Sequence, residues 1–329
     1  MLLKKDWFDS ESRYIKTALS FAACGAPLIT DGHPLLNSLL GPHFTPVGND
    51  DEAAKRYQEL EDMHTRERQS IALRQSILQE HAHLNRFEQL LKECDIARRQ
   101  PDKISVIMST MRQKAVEDGI NNVAAQAWPN KELILILHRK KTDFDTEAIN
   151  TLIKKLDFNV VVIDRDKNSV FGENLNLALD AASGDFITKM DDDDHYGPNH
   201  LHDLHLAYSY AGALAVGKWA NFVYLTGRDV TVDFVTHREE RFVRHLPGAT
   251  VFMKRSDARG LLFGRVTRAI DSELYRRSEM RGGRLYSTHR YNFIRVRHND
   301  HTYAQDEEDF IAHASSPPRP GLDKEASFI

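Results

Sequence analysis

The segment FITKMDDDD, residues 186–194, joins an apolar run of strand length to four consecutive aspartates. Carboxylates this close repel one another, at ~2–3 kcal/mol per pair for charges about 6 Å apart at an effective dielectric of about 20. A divalent cation with a phosphate-bearing ligand would offset the repulsion, because hard cations take carboxylate oxygens and leave coordination positions for phosphate. A solvated acidic loop is the ordinary alternative, so the surrounding sequence must decide between the two.

Short apolar runs and stretches with helical spacing alternate around this segment. The pattern predicts strands at 104–108, 132–137, 160–163 and 186–190, with helices between them at 115–128, 147–156 and 174–182. Gly184 is expected to close the last helix in a left-handed conformation. Because the strand runs are apolar on both faces, the chain is predicted to form an α/β fold, with a mainly parallel sheet and helices on both faces.

Two polar segments follow the carboxyl ends of predicted strands. Residues 109–112 come after the first strand, and residues 191–194 come after the last. Ligands of parallel sheets bind beyond these ends, so we expect the two segments to lie at one edge of the sheet. Their convergence favours the metal and phosphate interpretation over the solvated loop.

Composition limits the classes of function. The 329 residues are 41% hydrophobic and carry a net charge of −4, which is typical of a soluble protein of about two domains and gives no overall positive field for a nucleic-acid partner. The region 238–297 is nevertheless rich in arginine and could meet phosphates or anionic surfaces. The two cysteines, Cys24 and Cys94, have no spacing that indicates a zinc site or a disulfide framework.

Hydropathy gives no sign of a membrane-spanning segment. No stretch approaches about 18 consecutive apolar residues, and the first residues lack the apolar core of a signal peptide. We therefore expect a cytoplasmic protein. The membrane contact left open is a peripheral one, at the inner face of the membrane.

The composition changes near residues 100–102. Residues 1–100 are predicted to form a helical accessory segment, residues 101–311 the α/β domain, and residues 312–329, which are rich in serine and proline, a disordered tail. The accessory segment spaces apolar residues helically between 60 and 91. These residues need a partner surface, so residues 1–100 are expected to serve packing or the assembly of a homo-oligomer.

Residues 103–303 resemble the family 2 glycosyltransferases of the GT-A fold. Four blocks carry the resemblance in the order that the family has: ISVIMSTMR at 104–112, ASGDFI at 182–187 with MDDDD at 190–194, LPGATVFMKR at 246–255, and DSELY at 271–275. The first resembles the opening strand and nucleotide loop, the second the strand that leads into the DXD motif, and the third the acceptor cleft. The fourth lies where the family has the acidic residue that acts as the catalytic base.

The resemblance implies transfer of a sugar, with inversion, from a nucleotide-diphosphate donor to a hydroxyl acceptor. A UDP-sugar is the first expectation for the donor, and a glycan or lipid-linked acceptor in cell-surface polysaccharide synthesis is the expectation for the acceptor. Mn²⁺ or Mg²⁺ would neutralise the diphosphate leaving group, while a carboxylate takes the proton of the acceptor hydroxyl.

The resemblance also implies a metal site. Asp191 and Asp193 take the alternate positions of the DXD motif and would hold the cation, and a shift of register by one residue would bring in the other two aspartates of the run. In some family members a histidine of the closing segment completes the site. We expect His301 to fill this role, and His298 stays open as the alternative.

The remaining site residues follow in the same way. Asp271 is the expected base, and its alternative role is to cap the helix that begins near Glu273, a contribution of ~1 kcal/mol. The nucleotide is expected to contact Ser109, Thr110, Arg112, Arg165, Asn174, Asp191 and Asp192.

The chain departs from the family pattern in two places. The family often has an acid at the end of its second strand to hold the nucleobase, whereas residues 138–141 form a basic loop here, and Ile270 stands where many relatives have a second acid. These departures motivate an alternative function, a non-catalytic sugar-nucleotide-binding or scaffold protein. A metal-dependent nucleotidyl or phosphoryl transferase is a third possibility, disfavoured because the chain has no glycine-rich phosphate loop.

Residues 1–95 resemble, more weakly, the end of the nucleotide-binding domain of GT-B glycosyltransferases. The string AACGAPLIT at 22–30, followed by NDDEAA at 49–54, carries this resemblance, but Ser20 and Phe21 lie where that family often has a glutamate for the donor ribose. We expect a truncated domain that binds no nucleotide by itself. A helical cap without GT-B ancestry is the alternative.

Overall fold

Two units make up the chain, Met1–Gln100 and Pro101–Ile329. The computed structural model describes residues 1–44, 46–96, 100–139, 143–266, 270–298 and 306–329. His301 lies outside the described residues, as do Lys140 and Lys141 of the basic loop at 138–141. Within the described ranges, no helix is long and apolar enough to cross a membrane.

The first unit consists mainly of α-helices around a short parallel pair of strands. The helix Met63–Ser76 continues directly into a π-helical turn at Ile77–His81. The elements of the unit are β1 (Leu2–Leu3), α1 (Glu11–Ala23), β2 (Ile29–Thr30), α2 (Pro34–Leu40), α3 (Asp50–Glu59), α4 (Met63–Ser76) and α5 (His83–Glu93).

Some of the helically spaced apolar residues between 60 and 91 are buried in the core of this unit. Leu73 and Ile77 pack against α1 side chains such as Tyr14, so these residues find their partner surface within the unit. Phe87 and Leu90 of α5, in contrast, are 57% and 59% exposed. A homo-oligomer formed through residues 1–100 therefore stays a prediction.

The second unit is built on a sheet of eight strands. Four adjacent strands, Phe186–Lys189, Ile104–Thr110, Lys131–His138 and Asn159–Arg165, are parallel, and the others continue the sheet with mixed directions. In order across the sheet the strands are β11 (Arg241–Val243), β13 (Leu285–Ser287), β8 (Ala215–Gly217), β12 (Phe252–Lys254), β6 (Phe186–Lys189), β3 (Ile104–Thr110), β4 (Lys131–His138) and β5 (Asn159–Arg165).

Helices cover both faces of this sheet. Val106 and Met108 of β3 belong to one buried cluster and Ile107 to the other, because successive side chains of a strand point to opposite faces. Strands that are buried on both faces explain the uninterrupted apolar runs, and the predicted α/β fold is confirmed. The helices of the two layers are α6 (Gln113–Ala124), α7 (Thr146–Ile153), α8 (Phe171–Ala181), α9 (His200–Ala211), α10 (Arg255–Leu261) and α11 (Ile270–Met280).

A second sheet, of five strands, lies beyond the segment of four aspartates. Its first strand along the chain, His195–Tyr196, begins directly after Asp194, so the acidic run is the connection between the two sheets. In order across this sheet the strands are β15 (Arg319–Pro320), β10 (Val230–Phe234), β9 (Asn221–Leu225), β14 (Phe293–Arg297) and β7 (His195–Tyr196), with helices α12 (Glu307–Ala312) and α13 (Lys324–Ser327) nearby in sequence.

Gly184 does not have the left-handed conformation that its position after a helix predicts. It is absent from the positive-φ residues of the described chain, and α8 ends in extended backbone at Ala182. A Cβ at Gly184 would lie 2.7 Å from the backbone oxygen of Lys103 and 2.6 Å from Ser105 Oγ. Glycine is needed here because the start of β3 passes close to its backbone.

The tail 312–329 is not the disordered segment that its composition predicts. Strand β15 pairs antiparallel with β10 and forms the edge of the second sheet. Arg319 Nη2 donates to Asp233 Oδ1 at 2.9 Å, and the Asp233 side chain is fully buried. The backbone N–H of Ile329 donates to Asn292 Oδ1 at 3.0 Å. The segment has few apolar residues to bury, so its composition does not predict an ordered structure. Strand pairing and a buried ion pair hold it in place instead.

Candidate active site

The acidic run is held at the carboxyl edge of β6 by a tyrosine. The backbone N–H of Asp191 donates to Tyr196 Oη at 2.8 Å, and Tyr196 Oη donates to the backbone oxygen of Ala249 at 3.1 Å. Met190 N–H donates to the backbone oxygen of Ile107 at 3.1 Å. These bonds hold the start of the acidic run beside β3 and beside the block at 246–255.

Asp192 is bonded to the polar segment that follows β3. Its carboxylate accepts hydrogen bonds from Thr110 Oγ1 and from Arg112, whose Nε and Nη2 atoms lie 3.3 Å and 2.5 Å from the two oxygens. The side chain is buried. Asp192 therefore joins the two polar segments, and little of its carboxylate is left for a ligand.

Asp194 is bonded in the same way to the second sheet. Its Oδ1 accepts from the backbone N–H of Val296 at 2.9 Å, and its backbone oxygen accepts from Asn122 Nδ2 at 3.0 Å. Burial raises the pKa of Asp194 well above its usual value, and the charges of Asp191 and Asp193 add to this effect. Its place inside the protein disfavours the shifted register, in which Asp192 and Asp194 would hold a metal.

Asp191 and Asp193 are the more accessible members of the run. Their side chains are 38% and 18% exposed, against 9% for Asp192. Asp191 pairs with Lys189 Nζ, and Asp193 Oδ2 lies 3.0 Å from Arg112 Nη2. Protein cations therefore offset part of the repulsion that the sequence predicts within the run.

Lys189 connects this acidic group with the proposed base. Burial disfavours the charged form of Lys189, but Asp191, Asp271 and Asp194 outweigh burial and raise the pKa of the ammonium above its usual value. Lys189 thus carries a positive charge inside the sheet, and that charge acts on Asp191 and on Asp271 together.

The metal site that these residues can form is an incomplete one. Among the described residues, no group of three or more His, Cys, Asp or Glu side chains is arranged to hold a metal ion. Asp191 and Asp193 can offer carboxylate oxygens, which suits Mg²⁺ or Mn²⁺ when phosphate and water supply the other ligands. His298 lines a pocket of about 600 Å³ together with Asp192, Asp193 and Asp194. His301, the histidine expected to bind the metal, lies outside the described residues.

Asp271 lies in the first turn of α11 and packs against Gly248. A Cβ at Gly248 would lie 2.0 Å from Asp271 Oδ2, and the buried Oδ1 atom has no hydrogen-bond partner among the described residues. Burial raises the pKa of the carboxyl above its usual value; Lys189 lowers it and Asp191 raises it further. Because α11 begins at Ile270, Asp271 is inside the helix and does not occupy the capping position before Glu273.

The other two expected nucleotide contacts form a separate pair at the same edge of the sheet. Arg165, at the end of β5, donates from Nε to Asn174 Oδ1 at 2.7 Å, and Asn174 Nδ2 donates to Ser169 Oγ at 2.9 Å. Asn174 is fully buried, so it holds Arg165 in place. Strand β4 lies between β3 and β5, so at about 4.8 Å per strand this pair is ~10 Å from the end of β3, where Ser109 and Thr110 lie.

Sequence reasoning missed three residues that shape this site. Lys189 had a signal, since a lysine inside an otherwise apolar strand needs a buried partner. Gly248 and Tyr196 had none, because a glycine or a tyrosine in a short block does not tell which distant side chain it contacts.

Comparison with known proteins gives one match of the sequence to a family. Residues 105–300 match the family model described as glycosyl transferase family 2, and this range includes both polar segments, Gly248 and Asp271. No curated protein matches the sequence significantly.

Solved structures with a similar arrangement of elements share little sequence with the chain. TarS from S. aureus, in complex with UDP-GlcNAc, is 20% identical over 64% of this chain and 64% of its own, with a TM-score of 0.48. The mannosyltransferase PcManGT from Pyrobaculum calidifontis, in complex with GDP-Man and Mn²⁺, is 14% identical over 72% of this chain and 70% of its own, with a TM-score of 0.47. The chain thus matches less than two thirds of the length of the TarS structure.

Proposed function

Because this chain belongs to glycosyl transferase family 2, we propose that it is a glycosyltransferase, which transfers a sugar, with inversion, from a nucleoside diphosphate donor to a hydroxyl acceptor. The observation that supports this most is the Asp271 carboxylate. It has a buried oxygen without a partner among the described residues and a raised pKa, and it lies within the electrostatic reach of Lys189 and Asp191. A carboxylate of this kind, close to a group of donor-side aspartates, is what proton transfer from an acceptor hydroxyl requires.

In the proposed reaction Asp271 takes the hydroxyl proton of the acceptor. The acceptor oxygen forms a bond to the anomeric carbon while the bond from that carbon to the diphosphate breaks, so a nucleoside diphosphate leaves and the configuration inverts. A raised pKa makes the ionised carboxylate a stronger base than an ordinary aspartate. Asp271 thus acts in the transition state and contributes little to donor binding.

On the donor side, Asp191 and Asp193 would hold the Mn²⁺ or Mg²⁺ that neutralises charge on the leaving diphosphate. We propose that Ser109, Thr110 and Arg112 form the adjacent nucleotide loop, with Asp192 fixing its position. The pair Arg165 and Asn174 would contact the far end of the nucleotide. A UDP-sugar is the first donor to test, and the place of His301 in the metal site is part of the proposal.

A screen of nucleotide sugars tests the proposed function directly. The full chain is expected to release the nucleoside diphosphate from one donor class, UDP- or GDP-sugars, in a reaction that requires Mn²⁺ or Mg²⁺ and stops in EDTA. Chromatography of the nucleotide product measures this. A chain that binds nucleotide sugars but releases no diphosphate with any acceptor would support the non-catalytic alternative, and activity that survives EDTA would exclude the metal.

The expected setting is cell-surface polysaccharide synthesis on the cytoplasmic side, with a glycan or lipid-linked acceptor. Cys24 and Cys94 are both exposed and unpaired, which supports a reducing compartment. We propose that residues 1–100 serve packing or assembly, at a peripheral membrane contact or in a homo-oligomer, and bind no nucleotide themselves.

Gly248→Ala is expected to reduce sugar transfer roughly tenfold to 10²-fold, because a misplacement of about 1 Å at a catalytic group has effects of that size. The new Cβ would overlap Asp271 Oδ2, so the carboxylate must rotate away from its position. Steady-state transfer and calorimetric binding of the nucleotide measure the two effects, and donor binding should stay near that of the parent. Gly260→Ala in α10 is the matched control, since its Cβ would meet only the end of the Arg281 side chain; parent-like turnover in Gly248→Ala would contradict the placement of the base.

A further inference from the structure

A pocket of about 770 Å³ is lined by α11 together with β11 and β13. Val243 of β11 and Leu285 of β13 are paired neighbours in the sheet, and Ser272 and Tyr275 come from α11. Ser272 directly follows Asp271 in the chain. The pocket therefore adjoins the proposed base, and the proposed donor residues do not line it.

Positive charge dominates the lining of this pocket. Arg238, Arg244 and Arg284 line it without a carboxylate partner among the described residues, whereas Arg276 is bonded to Glu273 at 2.8 Å. Glu279 is the acidic residue of the lining. We call this cavity the arginine pocket.

Two of these arginines are held by aromatic rings. The guanidinium carbon of Arg238 lies 4.8 Å from the centre of the Trp219 ring, and that of Arg284 lies 3.9 Å from the centre of the Phe242 ring. Such stacking uses the face of the guanidinium and leaves its N–H groups for hydrogen bonds. Guanidinium groups held in this way are suited to phosphate and carboxylate, which accept two parallel N–H bonds.

The pocket also contains an unpaired polar group. Tyr275 is 5% exposed, and its buried hydroxyl has no hydrogen-bond partner among the described residues. Burial, and secondly the charge of Asp271, raise the pKa of this hydroxyl well above its usual value. Tyr275 follows Asp271 by one helical turn, so the two side chains lie on the same face of α11, and the electrostatic effect connects the pocket with the base.

We infer that the arginine pocket binds the acceptor, and that the acceptor is a hydroxyl compound bearing an anionic group, a phosphate or a carboxylate. This inference rests on the proposed function, because it assigns to the pocket the anionic part of the acceptor whose hydroxyl Asp271 deprotonates. Arg238, Arg244 and Arg284 bind the anionic group, and Tyr275 donates to an acceptor oxygen.

Binding of small charged probes to the full chain tests the inference without knowledge of the natural acceptor. Glucose 6-phosphate, glucuronate and glucose share a sugar ring and differ in charge. Their binding is followed by the fluorescence of Trp219, with Trp219→Phe to identify the signal, in EDTA so that no metal bridges a probe to the aspartates. At least one anionic probe is expected to bind about tenfold or more tightly than glucose, and the tighter of the two distinguishes phosphate from carboxylate.

A double variant with a matched control locates the binding. Arg238→Gln with Arg284→Gln should weaken the anionic probe about tenfold or more, while Arg259→Gln with Arg281→Gln, which removes the same charge outside the pocket, should leave its binding within about twofold of the parent's. Equal binding of all three probes, no binding of either anion, or parent-like binding by the pocket double variant would overturn the inference.

Donor binding separates this inference from the proposed function. The pocket double variant is expected to bind UDP or GDP with Mn²⁺ as the parent does. If the parent binds no nucleotide and releases no diphosphate, the proposed function fails, whatever the probes do. If nucleotide binding is normal and the probe results are negative, only the anionic acceptor fails.

Discussion

Asp271→Asn is expected to lower sugar transfer by about 10²-fold or more, the usual contribution of general base catalysis. Asparagine keeps the shape that packs against Gly248 but cannot take the proton of the acceptor hydroxyl. Because the proton moves in the transition state, the loss should fall on kcat, with donor affinity unchanged. The melting temperature should be equal to that of the parent or higher, since the variant removes a carboxylate that burial destabilises. Steady-state kinetics, calorimetry with UDP and Mn²⁺, and thermal unfolding measure the three quantities.

Glu273→Gln is the control on the same turn of α11. The Glu273 carboxylate is bonded to Arg276 and Arg277 at the surface, so its loss should leave transfer nearly unchanged. The pH profile gives a further check: kcat/KM of the parent should fall as the pH drops through the raised pKa of Asp271, because only the ionised carboxylate accepts a proton, and Asp271→Asn should lack this fall. Normal turnover in Asp271→Asn would exclude it as the base and direct attention to Glu273.

Asp193→Asn is expected to weaken Mn²⁺-dependent binding of the nucleoside diphosphate at least about tenfold. A charge and a cation about 4 Å apart interact by ~4 kcal/mol at an effective dielectric of about 20, and 1.4 kcal/mol already corresponds to tenfold. Binding in EDTA should change little, and the fold should persist, because Arg112 keeps its bonds to Asp192 and one repulsive charge is removed from the run. Titration of UDP and GDP with and without Mn²⁺ measures the effect.

Asp180→Asn is the matched control for this experiment. Asp180 lies on α8, is 62% exposed and pairs with Arg259 at 3.2 Å, so the same change of charge should leave nucleotide binding intact. Parent-like affinity of Asp193→Asn in Mn²⁺ would mean that Asp193 does not hold the metal. The metal assignment would then have to be sought at Asp191 together with residues outside the described ranges.

The local pattern of the sequence was sufficient for the parallel part of the sheet. The predicted strands at 104–108 and 186–190 correspond to Ile104–Thr110 and Phe186–Lys189. A strand that is buried on both faces needs apolar residues at consecutive positions, and such a run can be recognised in the sequence. The ends of helices were predicted less accurately from the local pattern. Helix α6 ends at Ala124, before the predicted end at 128, since Ala127 N–H donates to the backbone oxygen of Pro198 at 2.9 Å, a contact that no local pattern records.

The placement of the acidic run at the carboxyl edge also followed from sequence, because the edge is given by strand direction. Which aspartates of the run are available to a ligand did not follow. The Asp192 carboxylate is hydrogen-bonded to Thr110 and Arg112, and the Asp194 carboxylate to the backbone of Val296. These partners lie about eighty or more positions away along the chain. Four identical residues therefore acquire different roles through partners that only folding brings to them.

Sequence by itself determined the family, the α/β fold and the candidate residues, since strand runs and motif blocks are contiguous and each carries its own signal. Tertiary structure alone decided how distant segments meet: the Asp271 carboxylate against Gly248, the tail paired along β10, and the arginine pocket assembled from β11, β13 and α11. The physical reason is that burial, loss of a hydrogen-bond partner and the field of a neighbouring charge are properties of a residue's surroundings. Those surroundings come from segments that are far apart in the sequence.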